Sequence, residues 1–188
     1  MYDCVWRAGS KTLTIFTIGH STLPIEKFLE MLTAHGIRQL VDVRTIPKSR
    51  RHPHFGQDQL APSLEEHGIR YVHLPGLGGL RHARKDSINT GWKNASFRGY
   101  ADYMQTAAFA ENLSKLIEIA AAGPTVIMCA EAVPWRCHRS LIADALTAGG
   151  LEAQHILTAT SRKPHKYTPF ARVDGASVTY PALPLVES

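Results

Sequence analysis

Short apolar runs alternate with helical patterns along most of this 188-residue chain. The runs cover residues 13–18, 40–43, 70–74 and 125–128, and apolar residues at helical spacing come between or after them. Strands that alternate with helices pair in parallel, because each crossover helix packs back onto the sheet. The alternation therefore predicts an α/β domain with a mostly parallel sheet and helices on both faces. A fifth run at 152–156 brings the predicted sheet to about five strands.

The predicted elements form one domain. A chain of this length can bury one ordinary core, and no internal repeat or linker divides it. Residues 1–11 are predicted to be a flexible lead-in, and residues 12–188 a single α/β domain. Helices are predicted over 57–67, over 97–122 in two pieces, and over 134–148. Residues 173–176 contain an Asp-Gly pair between short alternating segments, which predicts a C-terminal hairpin.

Composition and charge narrow the class of partner. Apolar residues make up 44% of the chain and charged residues 20%, which is typical of a globular domain. No apolar run is long enough to cross a membrane, and the first residues lack the apolar segment of a secretory signal. We therefore predict a cytoplasmic protein with no membrane partner. The net charge of +5 and the pI of about 9.2 favour an anionic partner, either a small ligand or a nucleic acid.

Polar side chains come at the ends of three predicted strands. His20 follows the first strand, Asp42 and Arg44 lie at the end of the second, and Glu131 follows the fourth. Ligands of open α/β sheets bind outside the carboxyl ends of the strands. These side chains should therefore lie close together at one edge of the sheet.

Cations surround this predicted edge. Arg50 belongs to the basic loop after the second strand, and Arg136 and Arg139 lie near a helix start, where the helix dipole favours anions. We predict that an anionic ligand is bound by a set of cationic and imidazole groups, namely Arg44, Arg50, Arg136, His138 and Arg139.

His20, Asp42 and Glu131 are the predicted catalytic groups. Two carboxylates beside one cleft can have divergent pKa values, which suits them to transfer protons as acid and base. A histidine at a strand end can act as a base or donate a hydrogen bond to an anion. Structural alternatives remain open at this point: Asp42 would orient Arg44, and His138 would bond Glu131 or a backbone carbonyl.

Two cysteines, Cys129 and Cys137, flank the loop after the fourth strand. A cysteine between a parallel strand and a helix can be a thiolate nucleophile, as in rhodaneses, where an arginine follows six residues later. Trp135 occupies that position here, so a buried and unreactive Cys129 is an equal alternative. Cys137 and His138 are predicted to lie in the first turn of the helix and to point inward. The spacing C-x7-C-H fits no standard zinc pattern, so no metal site is predicted.

Four motifs, in order along the chain, resemble the DUF488 family of bacterial and archaeal proteins. They are TIGHST, LVDVRTIPKSR, HLPGLGG and CAEAVPWRCHRSLIADAL, and the resemblance covers about residues 13–160. It implies a single three-layer, Rossmann-like α/β domain, and it implies no reaction, because the family name records a domain of unknown function. The motif positions carried over are His20, Asp42, Arg44, Pro47, Arg50, Glu131, Cys137, His138 and Arg139.

The favoured function is an enzyme that acts on a phosphorylated small molecule, a nucleotide or a nucleic acid. A protein that only binds phosphates gains nothing from Asp42 and Glu131 in its site. One alternative is a non-catalytic nucleic-acid-binding module, and another is a rhodanese-like, cysteine-dependent transferase. The glycines of PGLGGLR form neither a G-x-G-x-x-G fingerprint that opens a helix nor a P-loop lysine motif, so the cofactor is left unknown.

Overall fold

Strands and helices alternate in the computed structural model of the protein, which describes residues 12–182. The first half contains β1 (Thr14–Gly19), α1 (Ile25–Ala34), β2 (Gln39–Asp42), α2 (Gln57–Glu65) and β3 (Arg70–His73). The second half contains α3 (Ala95–Tyr103), α4 (Ala107–Ala121), β4 (Thr125–Cys129), α5 (Arg139–Ala148), β5 (Glu152–Thr158), β6 (Ser161–Pro164), β7 (Arg172–Asp174) and β8 (Ser177–Thr179). The predicted lead-in at 1–11 lies outside the described residues.

The sheet has six strands in the order β3-β2-β4-β1-β5-β6. Strands β1 to β5 run parallel, and β6 is antiparallel to β5 at one edge. The predicted α/β class with a mostly parallel sheet is confirmed. The sixth strand was not predicted, because its sequence, SRKP, has no apolar residue. The predicted C-terminal hairpin is also confirmed: it is formed by β7 and β8, which pair only with each other.

Two apolar layers separate the sheet from its helices. One layer packs α3, α4 and α5 against the sheet residues Ile15, Val41 and Ile127. The other packs α1 and α2 against Phe16, Leu40 and Val126. Because consecutive residues of a strand point to opposite faces, each buried strand contributes to both layers. The result is the predicted three-layer, Rossmann-like arrangement.

Side-chain caps divide the long helical region into two pieces, as predicted. The carboxamide oxygen of Asn94 accepts hydrogen bonds from the backbone N–H groups of Ser96 and Phe97 and so begins α3. The hydroxyl of Thr106 accepts from the N–H of Phe109 and begins α4. These caps satisfy donors that a helix start leaves without partners.

The last helix begins later than predicted. Residues Pro134–Arg136 form a single 3-10 turn, Cys137 is extended, and α5 starts at Arg139. The prediction that Cys137 and His138 lie in the first helical turn is therefore wrong. The fixed φ of Pro134 suits the first position of the short turn, but the extended backbone of Cys137 interrupts helical geometry, so the turn does not continue into α5. Residues 130–138, which we call the cleft loop, thus remain free to line the edge of the sheet.

No helix among residues 12–182 combines the length and the apolar character that crossing a membrane requires.

Candidate functional site

A cleft of about 440 Å³ opens at the carboxyl ends of the central strands. Strands β1, β2 and β4 end almost level, because Gly19 is in register with Cys129, and Asp42 with Met128. We call this the main cleft. The predicted residues that line it are His20, Arg44, Glu131, Arg136 and His138. Parallel pairing therefore brings these five together, whereas Asp42, Arg50 and Arg139 do not line the cleft.

Asp42 holds Arg44 in a fixed position at the wall of the main cleft. The carboxylate is fully buried, and its Oδ1 accepts from the Arg44 Nε at 2.9 Å while its Oδ2 accepts from Nη2 at 2.5 Å. The backbone N–H of Arg44 and the hydroxyl of Tyr71 also donate to Asp42. Nη2 of Arg44 donates further to the carbonyl of Phe55 at 2.8 Å. With its oxygens occupied in this way, Asp42 acts on Arg44, which is the structural alternative considered for it.

Arg44 retains one N–H group for a ligand. A guanidinium has five N–H donors. Nε donates once and Nη2 twice, and Nη1 lies 3.3 Å from Nε2 of His20. Within residues 12–182 the second N–H of Nη1 has no partner. The side chain is 8% exposed at the cleft, so a ligand can reach it.

His20 is a neutral group beside Arg44. It is 3% exposed, its ring stacks on Phe55 at 4.2 Å between centroids, and its Nδ1 lies 3.0 Å from the carbonyl of Ser21. Burial and the charge of Arg44 lower the pKa of His20 to about 4. Nδ1 therefore carries the proton that is donated to Ser21, and Nε2 accepts from Arg44. In this arrangement His20 positions the guanidinium.

Arg139 shapes the cleft loop from inside the protein. Its side chain is 1% exposed, and its Nη2 donates to the carbonyls of Glu131 at 2.6 Å and of Ala132 at 3.4 Å. The loop also passes close to Gly19, where an added Cβ would lie only 1.8 Å from the Glu131 carbonyl oxygen. Arg139 therefore fixes the backbone of Glu131, and the Glu131 side chain lies exposed at the cleft.

Cys129, Cys137 and His138 form a second group in the wall of the main cleft. Cys137 is 6% exposed, and its Sγ lies 3.5 Å from Nδ1 of His138. Burial raises the pKa of Cys129. Burial also disfavours the Cys137 thiolate, but hydrogen bonds from Cys129 and His138 and the charges of His138 and Arg139 lower the pKa of Cys137 well below its usual value. The pair thus favours a thiolate at Cys137 and a thiol at Cys129.

Comparison with models of known protein families places the chain in one of them. Residues 24–146, more than half of the chain, match the family described as domain of unknown function DUF488. The chain belongs to the DUF488 family. No curated protein and no solved structure matches it. The family predicted from the four motifs is therefore confirmed.

The DUF488 match includes most, but not all, of the main cleft. Asp42, Arg44 and the whole cleft loop lie inside the matched range, whereas His20 precedes it. Strands β5 and β6 follow it. The family match therefore covers Arg44 and both cysteines of the main cleft, and it leaves the β5–β6 edge of the sheet outside.

Sequence reasoning missed the residues that support Arg44 in this DUF488 protein. Tyr71 and Phe55 bond to the Asp42–Arg44 pair from β3 and from the loop before α2. The only available signal was that Tyr71 lies in the third predicted strand, residues 70–74. The predicted cation Arg50 is exposed and does not line the main cleft. Its neighbours in the same loop, Lys48 and Ser49, do line it. Within the described part of the chain, no group of three or more His, Cys, Asp or Glu side chains could hold a metal ion.

Proposed function

We propose that the protein is an enzyme that acts on a small anionic substrate bound in the main cleft. The observation that carries the proposal is the single free N–H group of Arg44, on a guanidinium held by the buried Asp42 carboxylate. A fixed donor loses little freedom when it binds, and a charged donor makes strong hydrogen bonds to phosphate or carboxylate oxygens.

Two further cations support an anion at the same place. Arg136 and Lys48 line the main cleft from opposite loops, and neither forms an ion pair within residues 12–182. An exposed cation without a carboxylate partner is available for a ligand. In this proposal Arg44 orients the anionic group, and Arg136 and Lys48 neutralise its charge.

Glu131 is the proposed proton-transfer group. It is the only carboxylate among the described residues that lines the main cleft, and Arg139 fixes its backbone through the 2.6 Å bond to the carbonyl. Asp42, by contrast, supports catalysis in this proposal by positioning Arg44. Removal of a general base costs about 10²- to 10⁴-fold in rate.

The test is a screen of phosphorylated and carboxylated small molecules for turnover, followed by two variants. Glu131→Gln is expected to lower kcat about 10²-fold or more with little change in KM. Arg136→Ala is expected to raise KM. A wild-type rate in Glu131→Gln would refute the assignment of Glu131. An Arg172→Ala variant, which removes an exposed arginine on β7, serves as the control for net charge.

A cysteine-dependent transferase is the second candidate, favoured by the Cys137–His138 contact at 3.5 Å. The Cys137 thiolate would attack an electrophilic atom of a donor substrate, the leaving group would depart with the bonding electron pair, and an acceptor would then take the group from sulfur. His138 would hold the Cys137 thiolate through Nδ1, and its Nε2 is buried without a hydrogen-bond partner among residues 12–182.

Alkylation separates this candidate from the first. Cys137 should react with iodoacetamide at neutral pH much faster than Cys129, measured by mass spectrometry in a Cys4→Ser background. Cys137→Ser should abolish the activity, and Cys129→Ser should reduce it only partly. An activity that survives Cys137→Ser excludes the thiol mechanism and leaves the Glu131 mechanism in place.

A further inference from the structure

A second cleft, of about 680 Å³, lies outside the proposed active site. Residues 163–170, which include the end of β6 and the segment after it, form one side of it, and the 3-10 turn of the cleft loop forms another. Four aromatic side chains line it, namely Trp92, Trp135, Tyr167 and Phe170, and we call it the aromatic cleft.

Trp135 presents an open aromatic face in this cleft. It is 71% exposed, whereas Trp92 stacks on Phe97 at 4.6 Å and contacts the edge of Phe170 at 4.9 Å. The packed rings fix one wall, and Trp135 and the partly exposed Tyr167 are left to contact a ligand. An exposed aromatic surface beside a cavity is typical of a binding site.

The charge of the aromatic cleft is positive. Lys163 and Lys166 line it, and neither forms an ion pair within residues 12–182. None of its lining residues in that range is a carboxylate. Asp144 lies nearby, but it is fully buried and its oxygens accept from His165, Thr168 and Tyr180. The cleft therefore suits a ligand that is aromatic and anionic.

The two clefts share their walls. In the 3-10 turn, Trp135 lines the aromatic cleft and the next residue, Arg136, lines the main cleft. In the stacked pair described above, Trp92 lines the aromatic cleft and Phe97 the main cleft. The two clefts therefore lie side by side, separated by the 3-10 turn and by the Trp92–Phe97 pair.

We infer that the aromatic cleft binds the nucleobase of a nucleotide-containing ligand, which Trp135 stacks against and whose phosphates Lys163 and Lys166 contact. The inference extends the proposed function, because it names the class of anion: a further phosphate of the same ligand, beyond those at Lys163 and Lys166, would reach Arg136 and Arg44. It depends on that function only for the occupant of the main cleft. Aromatic stacking with basic side chains alongside is the usual means of holding single-stranded nucleic acid or a nucleotide.

Two probes distinguish the possible sources of the base: thymidine monophosphate and a labelled single-stranded oligothymidylate carrying a 5′-phosphate. Affinities are measured by calorimetry and fluorescence anisotropy at low and moderate salt. Trp135→Ala should weaken binding of the favoured probe about 5- to 150-fold, the range expected for loss of one stacked base. Trp135→Phe should restore most of the affinity. Val173→Ala, an exposed apolar change on β7, is the control.

The outcomes separate this inference from the proposed function. Much tighter, salt-sensitive binding of the oligonucleotide identifies a nucleic-acid strand, and equal binding of both probes identifies a nucleotide. Wild-type affinity in Trp135→Ala, or no binding of either probe at low salt, overturns the inference. If inorganic phosphate still binds and Arg136→Ala weakens it, the anion site survives that failure. If Trp135 governs binding of the probes while Arg136→Ala leaves the affinity for inorganic phosphate unchanged, the anion site fails and the aromatic cleft stands.

Discussion

Replacement of Asp42 by asparagine tests the central arrangement of the main cleft. Asp42 is fully buried and accepts four hydrogen bonds, three from Arg44 and one from Tyr71. In Asp42→Asn the amide oxygen can keep its bonds to the N–H and Nε of Arg44. The amide nitrogen then faces Nη2, which can only donate, and the Tyr71 hydroxyl, which would have to change from donor to acceptor. The guanidinium remains buried without its counter-charge.

The expected loss of stability is large. Removal of one partner from a buried ion pair costs roughly 3–5 kcal/mol. For a domain of this size each kcal/mol lowers Tm by about 2–4 °C, so Tm should fall by about 6–20 °C. Urea unfolding followed by circular dichroism gives the free energy directly. In a double-mutant cycle with Arg44→Met, the double variant should lose less stability than the sum of the single variants.

A second aspartate–arginine pair provides the matched control. Asp86 and Arg84 make the same two-bond contact, with oxygen to nitrogen distances of 3.0 and 2.7 Å, but both side chains are exposed. Asp86→Asn should leave stability almost unchanged, because solvent screens exposed pairs. If Asp42→Asn costs less than about 1 kcal/mol, the Arg44 guanidinium is not held by a buried charge and the reasoning fails.

Three further changes test other parts of the fold. Burial lowers the pKa of His20 to about 4. Between about pH 4 and 6.5 the unfolded chain therefore binds more protons than the folded protein. The free energy of unfolding should fall as the pH is lowered through that window. His20 alone should account for about 2 kcal/mol of the fall in the free energy of unfolding between pH 8 and pH 5. Urea unfolding at both pH values measures this fall, and an equal fall in His20→Gln would contradict the reasoning. Gly19→Ala places a Cβ 1.8 Å from the Glu131 carbonyl oxygen of the cleft loop, and in urea unfolding it should lower the free energy of unfolding by about 1–3 kcal/mol or more. Gly123→Ala is the control and should be tolerated, because its added Cβ has its nearest atom at 3.8 Å. Tyr180→Phe removes the 2.8 Å bond to the buried Asp144 and should cost about 1.5–3 kcal/mol in thermal unfolding, and an unchanged Tm would show that the bond is dispensable.

The parallel sheet could be predicted because its signals are local. The apolar runs at β1, β2 and β4 need burial on both faces, which indicates parallel strands. Parallel pairing then places the polar residues that follow each strand at the same edge of the sheet. That reasoning brought His20, Arg44 and Glu131 to one cleft, as the structure has them. It failed for β6, whose polar residues carry no strand periodicity.

The roles inside the cleft depended on contacts that no spacing encodes. Arg139 and Arg136 are three residues apart, yet one is buried against the Glu131 carbonyl and the other is exposed at the cleft. Arg136 ends the proline-initiated 3-10 turn and Arg139 begins α5, and the extended backbone of Cys137 between them separates their side chains. Similarly, no spacing indicates that Tyr71 of β3 and the Phe55 carbonyl before α2 complete the contacts of the Asp42–Arg44 pair.

Strand β6 has a consequence for how copies of this protein behave at high concentration. It covers the edge of β5, and no strand among residues 12–182 pairs with its own outer edge, along which lie Arg162, Lys163 and, at its end, Pro164. An unpaired strand edge invites pairing with another chain, and lysine, arginine and proline are the residues that discourage it. Two positive charges would face the same charges on a second copy, and proline has no N–H to donate. This side of the sheet is therefore protected against aggregation by edge-to-edge growth.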